Sequence, residues 1–116
     1  MRIELGRCGE RAAAEFLCAK GYTVVAQNWR CRHGEVDLVC RDPTDVMVFV
    51  EVKTRRGLGF GEPVEAVTRR KLHRMRLVAA EYLSQCSYFV ADVRFDVVGV
   101  LWKPDGPLIE HVERVL

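Results

Sequence analysis

Two short stretches of this chain bring together residue types that could hold a cation and act beside it. They are Gly34-Glu35-Val36-Asp37-Leu38 and, one hairpin later, Val50-Glu51-Val52-Lys53. Strand side chains alternate between faces, so Glu51 and Lys53 project from the same side of their strand. If Asp42 to Val46 forms the turn, Asp37 falls directly opposite Glu51, with β-carbons about 5 Å apart. Two carboxylates and an ammonium then converge on one spot. Like charges facing each other destabilise a strand pair, and carboxylates are costly beside Val48, Phe49, Val50 and Val52. A divalent cation resolves that conflict, and Mg²⁺ or Mn²⁺ prefers carboxylate and carbonyl oxygens plus water. Asp37 and Glu51 would bind it, with the backbone carbonyl of Val52 as a further ligand. Such an ion acidifies a bound water and stabilises charge on a phosphate. Lys53 would orient the attacking water or stabilise developing negative charge. On spacing alone, a salt-bridged Glu51–Lys53 pair on an exposed sheet face stands equally open.

The elements that must position these residues can be read from periodicity and punctuation. A helix is expected from about Leu5 to Lys20, with Leu5, Ala12, Ala13, Phe16 and Leu17 as its apolar stripe and Gly21 as its stop. Tyr22 to Cys31 reads as a strand, Arg32-His33-Gly34 as a turn, and Glu35 to Arg41 as a second strand. Met47 to Arg55 returns as a third. Gly57, Gly59, Gly61 and Pro63 punctuate a loop. Thr68 is placed to cap a helix running to about Ser84, whose buried side is Val67, Leu72, Met75, Val78, Ala79, Tyr82 and Leu83. A long strand falls within Tyr88 to Leu101. After a turn at Lys103-Pro104-Asp105-Gly106-Pro107, Leu108 to Val115 returns as a short last strand. The expected fold is α/β, in the order αβββαβ with an extra C-terminal strand and a mixed central sheet flanked by helices. Strands three and four, joined through a helix, would run parallel with a right-handed crossover.

The 116 residues suit one domain, and no repeat or linker interrupts them. No apolar run is long enough to span a bilayer, and the N-terminus lacks the apolar core of a secretory signal. A soluble, cytoplasmic protein without membrane contact is therefore expected. The five cysteines, at 8, 18, 31, 40 and 86, are odd in number, irregularly spaced and contain no CxxC pair. They read as buried free thiols, with Cys8, Cys18 and Cys86 within helices and Cys31 and Cys40 near strand ends. His33, His73 and His111 are too scattered for a metal cluster and read as surface residues. Trp29 and Trp102 read as core or hairpin packing rather than as stacking platforms for bases.

A net charge of +2 says little, but its distribution says more. Lys53, Arg55 and Arg56 form one basic cluster; Arg69, Arg70, Lys71, His73, Arg74 and Arg76 form another. A locally basic face suits an anionic polymer, although charge runs are often only solvated helix faces. Lys71 stands apart from its neighbours. It falls inside the apolar stripe, so it must snorkel out or meet a carboxylate or phosphate, and its place near the first turn gives it reach toward the carboxylates. Arg94 and Asp96 share a strand face and read as an internal salt bridge.

Asp37 followed by Glu51-Val52-Lys53 resembles the PD-(D/E)XK nuclease motif, with Val36 where a proline usually precedes the aspartate. The wider chain resembles the YraN (UPF0102) family of small bacterial proteins, related to Holliday-junction resolvases. The matching stretches are Gly9-Glu10-Arg11-Ala12-Ala13, Gly21-Tyr22, Asn28-Trp29-Arg30, Gly34 to Leu38, Phe49 to Arg55, Lys71, and Arg94-Phe95-Asp96-Val97-Val98. The resemblance implies a restriction-endonuclease-like core and a Mg²⁺- or Mn²⁺-dependent endonuclease acting on DNA, with branched or distorted DNA as a candidate substrate. It also implies that Glu10, otherwise an ordinary exposed helix glutamate, completes the metal site. Arg55, Arg56, Arg69, Arg70, Lys71 and Arg74 would contact phosphates, which positions a substrate without reading its sequence. The competing expectation is a nucleic-acid- or partner-binding module that keeps the nuclease fold without turnover. A homodimer is compatible with either.

Overall fold

In the computed structural model, residues 2–56 and 68–115 are described, with side chains from Gly6 onward. Helix α1 (Arg2–Ala19) leads into strands β1 (Thr23–Cys31), β2 (Gly34–Arg41) and β3 (Met47–Arg56). Helix α2 (Arg69–Ser84) then crosses over to β4 (Val93–Lys103), and β5 (Gly106–Val112) closes the order. The strands form one sheet in sequence order, antiparallel except for the parallel β3–β4 pair. This is the expected αβββαβ arrangement with its additional strand. The loop expected at Gly57, Gly59, Gly61 and Pro63, together with Val67, lies outside the described residues.

Each helix covers one sheet face, because each carries one apolar stripe. Ala13 and Leu17 of α1 pack on Leu38, Cys40, Val48, Val50, Val98 and Val100. Val78 and Ala79 of α2 pack on Val39, Met47 and Phe49. The strands between the two layers have both faces buried, which explains the unbroken apolar run Met47 to Val50. Helix α1 stops where Gly21 adopts φ +92°, a conformation that suits a residue without a β-carbon. Thr68 caps α2 as its sequence suggests, its hydroxyl accepting the Lys71 amide at 3.2 Å.

Gly9 sets how closely α1 crosses the sheet. A β-carbon there would lie 1.8 Å from Thr54 Oγ1, so only glycine lets the helix rest on the end of β3. Three expectations need correction. His111 is not a surface residue: only 3% of its side chain is exposed. Its Nε2 bonds Asp96 at 2.7 Å and its Nδ1 bonds Lys20 at 2.8 Å. A lysine ammonium can only donate, so Nδ1 accepts and Nε2–H donates to the carboxylate. Buried carboxylates recruit donors, and a lone histidine on an edge strand gave no sign of one. Among the cysteines only Cys40 is buried, whereas Cys8 and Cys18 lie on the exposed side of α1. Cys86 lies just beyond α2, which ends at Ser84. Trp29 packs as expected, its ring edge-on to Tyr82 at 5.1 Å. The Arg94–Asp96 bridge also forms, at 2.9 Å. Among the described residues, no helix is long and apolar enough to cross a membrane.

Candidate active site

The β2–β3 ladder runs from Arg41↔Met47 to Leu38↔Val50, and the same register carries one step further to Asp37 and Glu51. There the strands stop exchanging backbone bonds as a regular pair. Instead the Asp37 carboxylate accepts the Val52 amide at 2.7 Å. A side chain has taken the place of a ladder carbonyl, which fixes the carboxylate at the mouth between two strands.

Glu51 projects toward α2, and its side chain is only 14% exposed. Two ammonium groups meet the same oxygen: Lys53 Nζ lies 3.4 Å and Lys71 Nζ 3.2 Å from Glu51 Oε1. Lys71 reaches this point because it sits one turn into α2, on the side that packs against the sheet. Burial lowers the Lys53 ammonium below its ordinary range, and the adjacent Lys71 adds to the effect. For Lys71 burial also disfavours the charge, but the bond with Lys53 and the charge of Glu51 outweigh it, so its affinity for a proton rises. Of the two, Lys53 yields its proton more readily.

Asp37 is the most perturbed carboxyl here. Burial, with the charge of Glu51 next, pushes it up to about 7, against the lowering influence of the Val52 amide. Glu10 and Glu35 push in the same direction. Glu35, which sequence reasoning left without a role, lines a cleft of about 210 Å³ with Gly34, Asp37, Glu51, Lys71, Arg74 and Met75. Its signal was present, two positions from Asp37, but its ion pair with Arg30 across the hairpin could not be read from spacing.

Glu10 approaches from α1 and lines a neighbouring cleft with Val52, Lys53, Arg55 and Arg56. It is close enough to act on the charge of Asp37 but is not gathered with the other two carboxylates. Among the described residues no three His, Cys, Asp or Glu side chains form a ready metal-ligand set. The oxygens of Asp37 and Glu51 nonetheless fit a small hard cation, and their mutual repulsion is what such an ion relieves. Of the basic residues, Lys71 and Arg74 line the carboxylate cleft, and Lys53, Arg55 and Arg56 the adjoining one. Arg69 and Arg70 are exposed on the first turn of α2 and line neither.

Comparison with known proteins adds a family to this geometry. The family described as "Uncharacterised protein family UPF0102" matches residues 9–100. A UPF0102 protein of Acidothermus cellulolyticus is 49% identical, covering 96% of this chain and 92% of the relative. One of Nocardia farcinica is 51% identical, covering 96% and 87%. Among solved structures, SfsA of Pyrococcus furiosus in complex with Ca²⁺ is similar with a TM-score of 0.41 and 11% identity, over 93% of this chain and 63% of that one. With a family match over most of its length and relatives at half identity, the chain belongs to the UPF0102 family.

Proposed function

We propose that this protein is a Mg²⁺- or Mn²⁺-dependent endonuclease that hydrolyses DNA phosphodiester bonds, with branched or distorted DNA as its substrate class. The observation that carries this reading is the meeting of Asp37, Glu51 and Lys71 at one cleft, with Lys53 reaching Glu51 from the adjoining one and Asp37 raised to about 7. A carboxyl pushed that far by burial and a like charge is held at an energetic disadvantage, as functional carboxyls commonly are.

Asp37 and Glu51 would hold the ion, with the Val52 carbonyl and Glu10 completing its surroundings. The ion would supply an acidified water and charge neutralisation at the phosphate. Lys53, the readier proton donor of the lysine pair, is suited to orient the water and to stabilise charge growing on a phosphoryl oxygen. Lys71 and Arg74 would steady the phosphate in the cleft, while Arg55 and Arg56 would bind the flanking backbone. Glu35 would stay with Arg30 at the rim. Phosphate contacts of this kind position a strand without selecting its sequence.

A second reading, a nucleic-acid-binding module without turnover, is favoured by one observation: both lysines already neutralise Glu51, and among the described residues no third carboxylate completes a ready metal-ligand set with it and Asp37. One experiment separates the two. Cleavage of single strands, duplexes, flaps and four-way junctions is measured in Mn²⁺ and Mg²⁺ for wild type, Glu51→Gln and Lys53→Ala. The nuclease reading expects metal-dependent cleavage that falls by roughly a hundredfold or more in both variants. Binding that survives EDTA and is not weakened by Glu51→Gln, with no cleavage of any substrate, would overturn it in favour of the binding module.

A further inference from the structure

Asn28 lies in the middle of β1 with φ +48°, a left-handed conformation inside an otherwise extended strand. Asparagine tolerates this better than most residues, and β-branched ones tolerate it worst. The register places it opposite the site. Gln27 pairs with Leu38 and Trp29 with Val36, so Asn28 stands across from Asp37.

Both strands lose their alternation at this level. In β1, Ala26 and Trp29 both pack in the layer under α2, although three positions apart. In β2, Val36 and Val39 do the same, while Leu38 between them packs under α1. A regular strand sends residues three apart to opposite faces. The register shifts once, between Val24 and Ala26, and is constant from there to the tip, so the paired slip at Asn28 and Asp37 turns the hairpin without a further change of register. The bent tip rests on α2: Trp29 meets Tyr82, and a β-carbon on Gly34 would lie 3.0 Å from the Arg74 side chain. Beyond the bend, Asp37 points to the mouth between β2 and β3, where it takes the Val52 amide.

We infer that Asn28 is a positioning residue for Asp37: its left-handed backbone bends the β1–β2 hairpin and aims that carboxylate at the Val52 amide beside Glu51. The Asn28 side chain is exposed, so its backbone conformation, rather than a side-chain contact, carries the role. The significance of this aim rests on the reading of Asp37 as a metal-binding residue, but the aim itself can be tested without metal.

The test is hydrogen exchange of the Val52 amide in metal-free protein, with Mn²⁺ affinity measured separately by calorimetry. The variants are Asn28→Gly, which keeps the left-handed conformation, Asn28→Ala, which disfavours it, and Asn28→Val, which disfavours it most. Val52 protection is expected to match wild type in Asn28→Gly and to fall about tenfold or more in Asn28→Val, with Asn28→Ala between. Core amides such as that of Val98 should remain protected, and Mn²⁺ affinity should follow the same order. If Asn28→Val does not fold, Asn28→Gly and Asn28→Ala decide. Equal Val52 protection in those two, or equal loss in both, overturns the proposal. A wild type that binds no Mn²⁺ while Val52 protection follows the expected order would sink the nuclease reading and leave the positioning role standing.

Discussion

Asp37 on β2 and Asp96 on β4 flank the same stretch of β3, and their surroundings are opposites. Asp96 is fully buried and collects donors: Arg94 through Nε at 2.9 Å and Nη2 at 3.0 Å, His111 at 2.7 Å, and the Arg114 amide at 3.1 Å. Burial works against its charge, but these bonds more than compensate and hold it below the ordinary carboxylate range. Arg94 extends the network to Asp42 and to the Tyr22 hydroxyl. Asp37 has the Val52 amide and, around it, the like charges of Glu51, Glu10 and Glu35. The fold completes the partners of one aspartate and leaves the other wanting positive charge. A carboxylate that serves the architecture is satisfied from within. One left for something else to satisfy fits the chemical role proposed for Asp37.

The largest effect should come from breaking the satisfied side. Arg94→Met strips a buried carboxylate of its guanidinium and should cost about 3–5 kcal/mol in urea unfolding, the range for removing one partner of a buried pair. A loss under about 1 kcal/mol would mean that His111 and the Arg114 amide suffice. Next, Gly9→Ala presses a methyl onto Thr54 and should cost about 1–3 kcal/mol through overpacking. Thr54→Ala should recover part of that loss in the double variant, and strict additivity would disprove the contact.

The subtlest effect concerns pH. Asp37 titrates near 7 in the folded protein, above its ordinary value of 3.8, so the folded state holds its proton more tightly than the unfolded chain. Its contribution to stability is full below about pH 4 and is lost as pH rises toward 7. Asp96 runs the other way: its contribution is present above its unfolded value and is lost as pH falls through its lowered folded value. Asp37→Asn should therefore leave stability at pH 4 nearly unchanged and raise it by about 1–2 kcal/mol at pH 8, while abolishing the proposed metal-dependent cleavage. Equal thermal shifts at both pH values would refute the assignment of the raised carboxyl.

Both hairpins were legible from their turns, but only the second also in register, because Asp42 to Val46 is a short, strongly typed turn that leaves few alternatives. That placed Asp37 level with Glu51. The position of Lys71 was legible for a different reason, since a lysine within an apolar stripe needs a partner. What could not be read depends on contacts between distant segments. Gly9 against Thr54 and His111 against Asp96 carry no local pattern. The slip at Asn28 was hidden because strict alternation is what strand reading assumes. Glu35 was in view, but its partner Arg30 follows from the β1–β2 register, which the turn residues alone left open.

The parallel pairing of β3 with β4 also bears on how the chain is made. Strands β1 to β3 join through short turns and can associate as soon as they leave the ribosome, whereas β4 follows only after α2. Until then β3 is a nascent sheet's open edge, presenting Met47-Val48-Phe49-Val50 with no neighbour on that side. Nascent chains stalled between α2 and β4 should therefore be prone to self-association, a hazard that ends when β4 zips along the whole of β3.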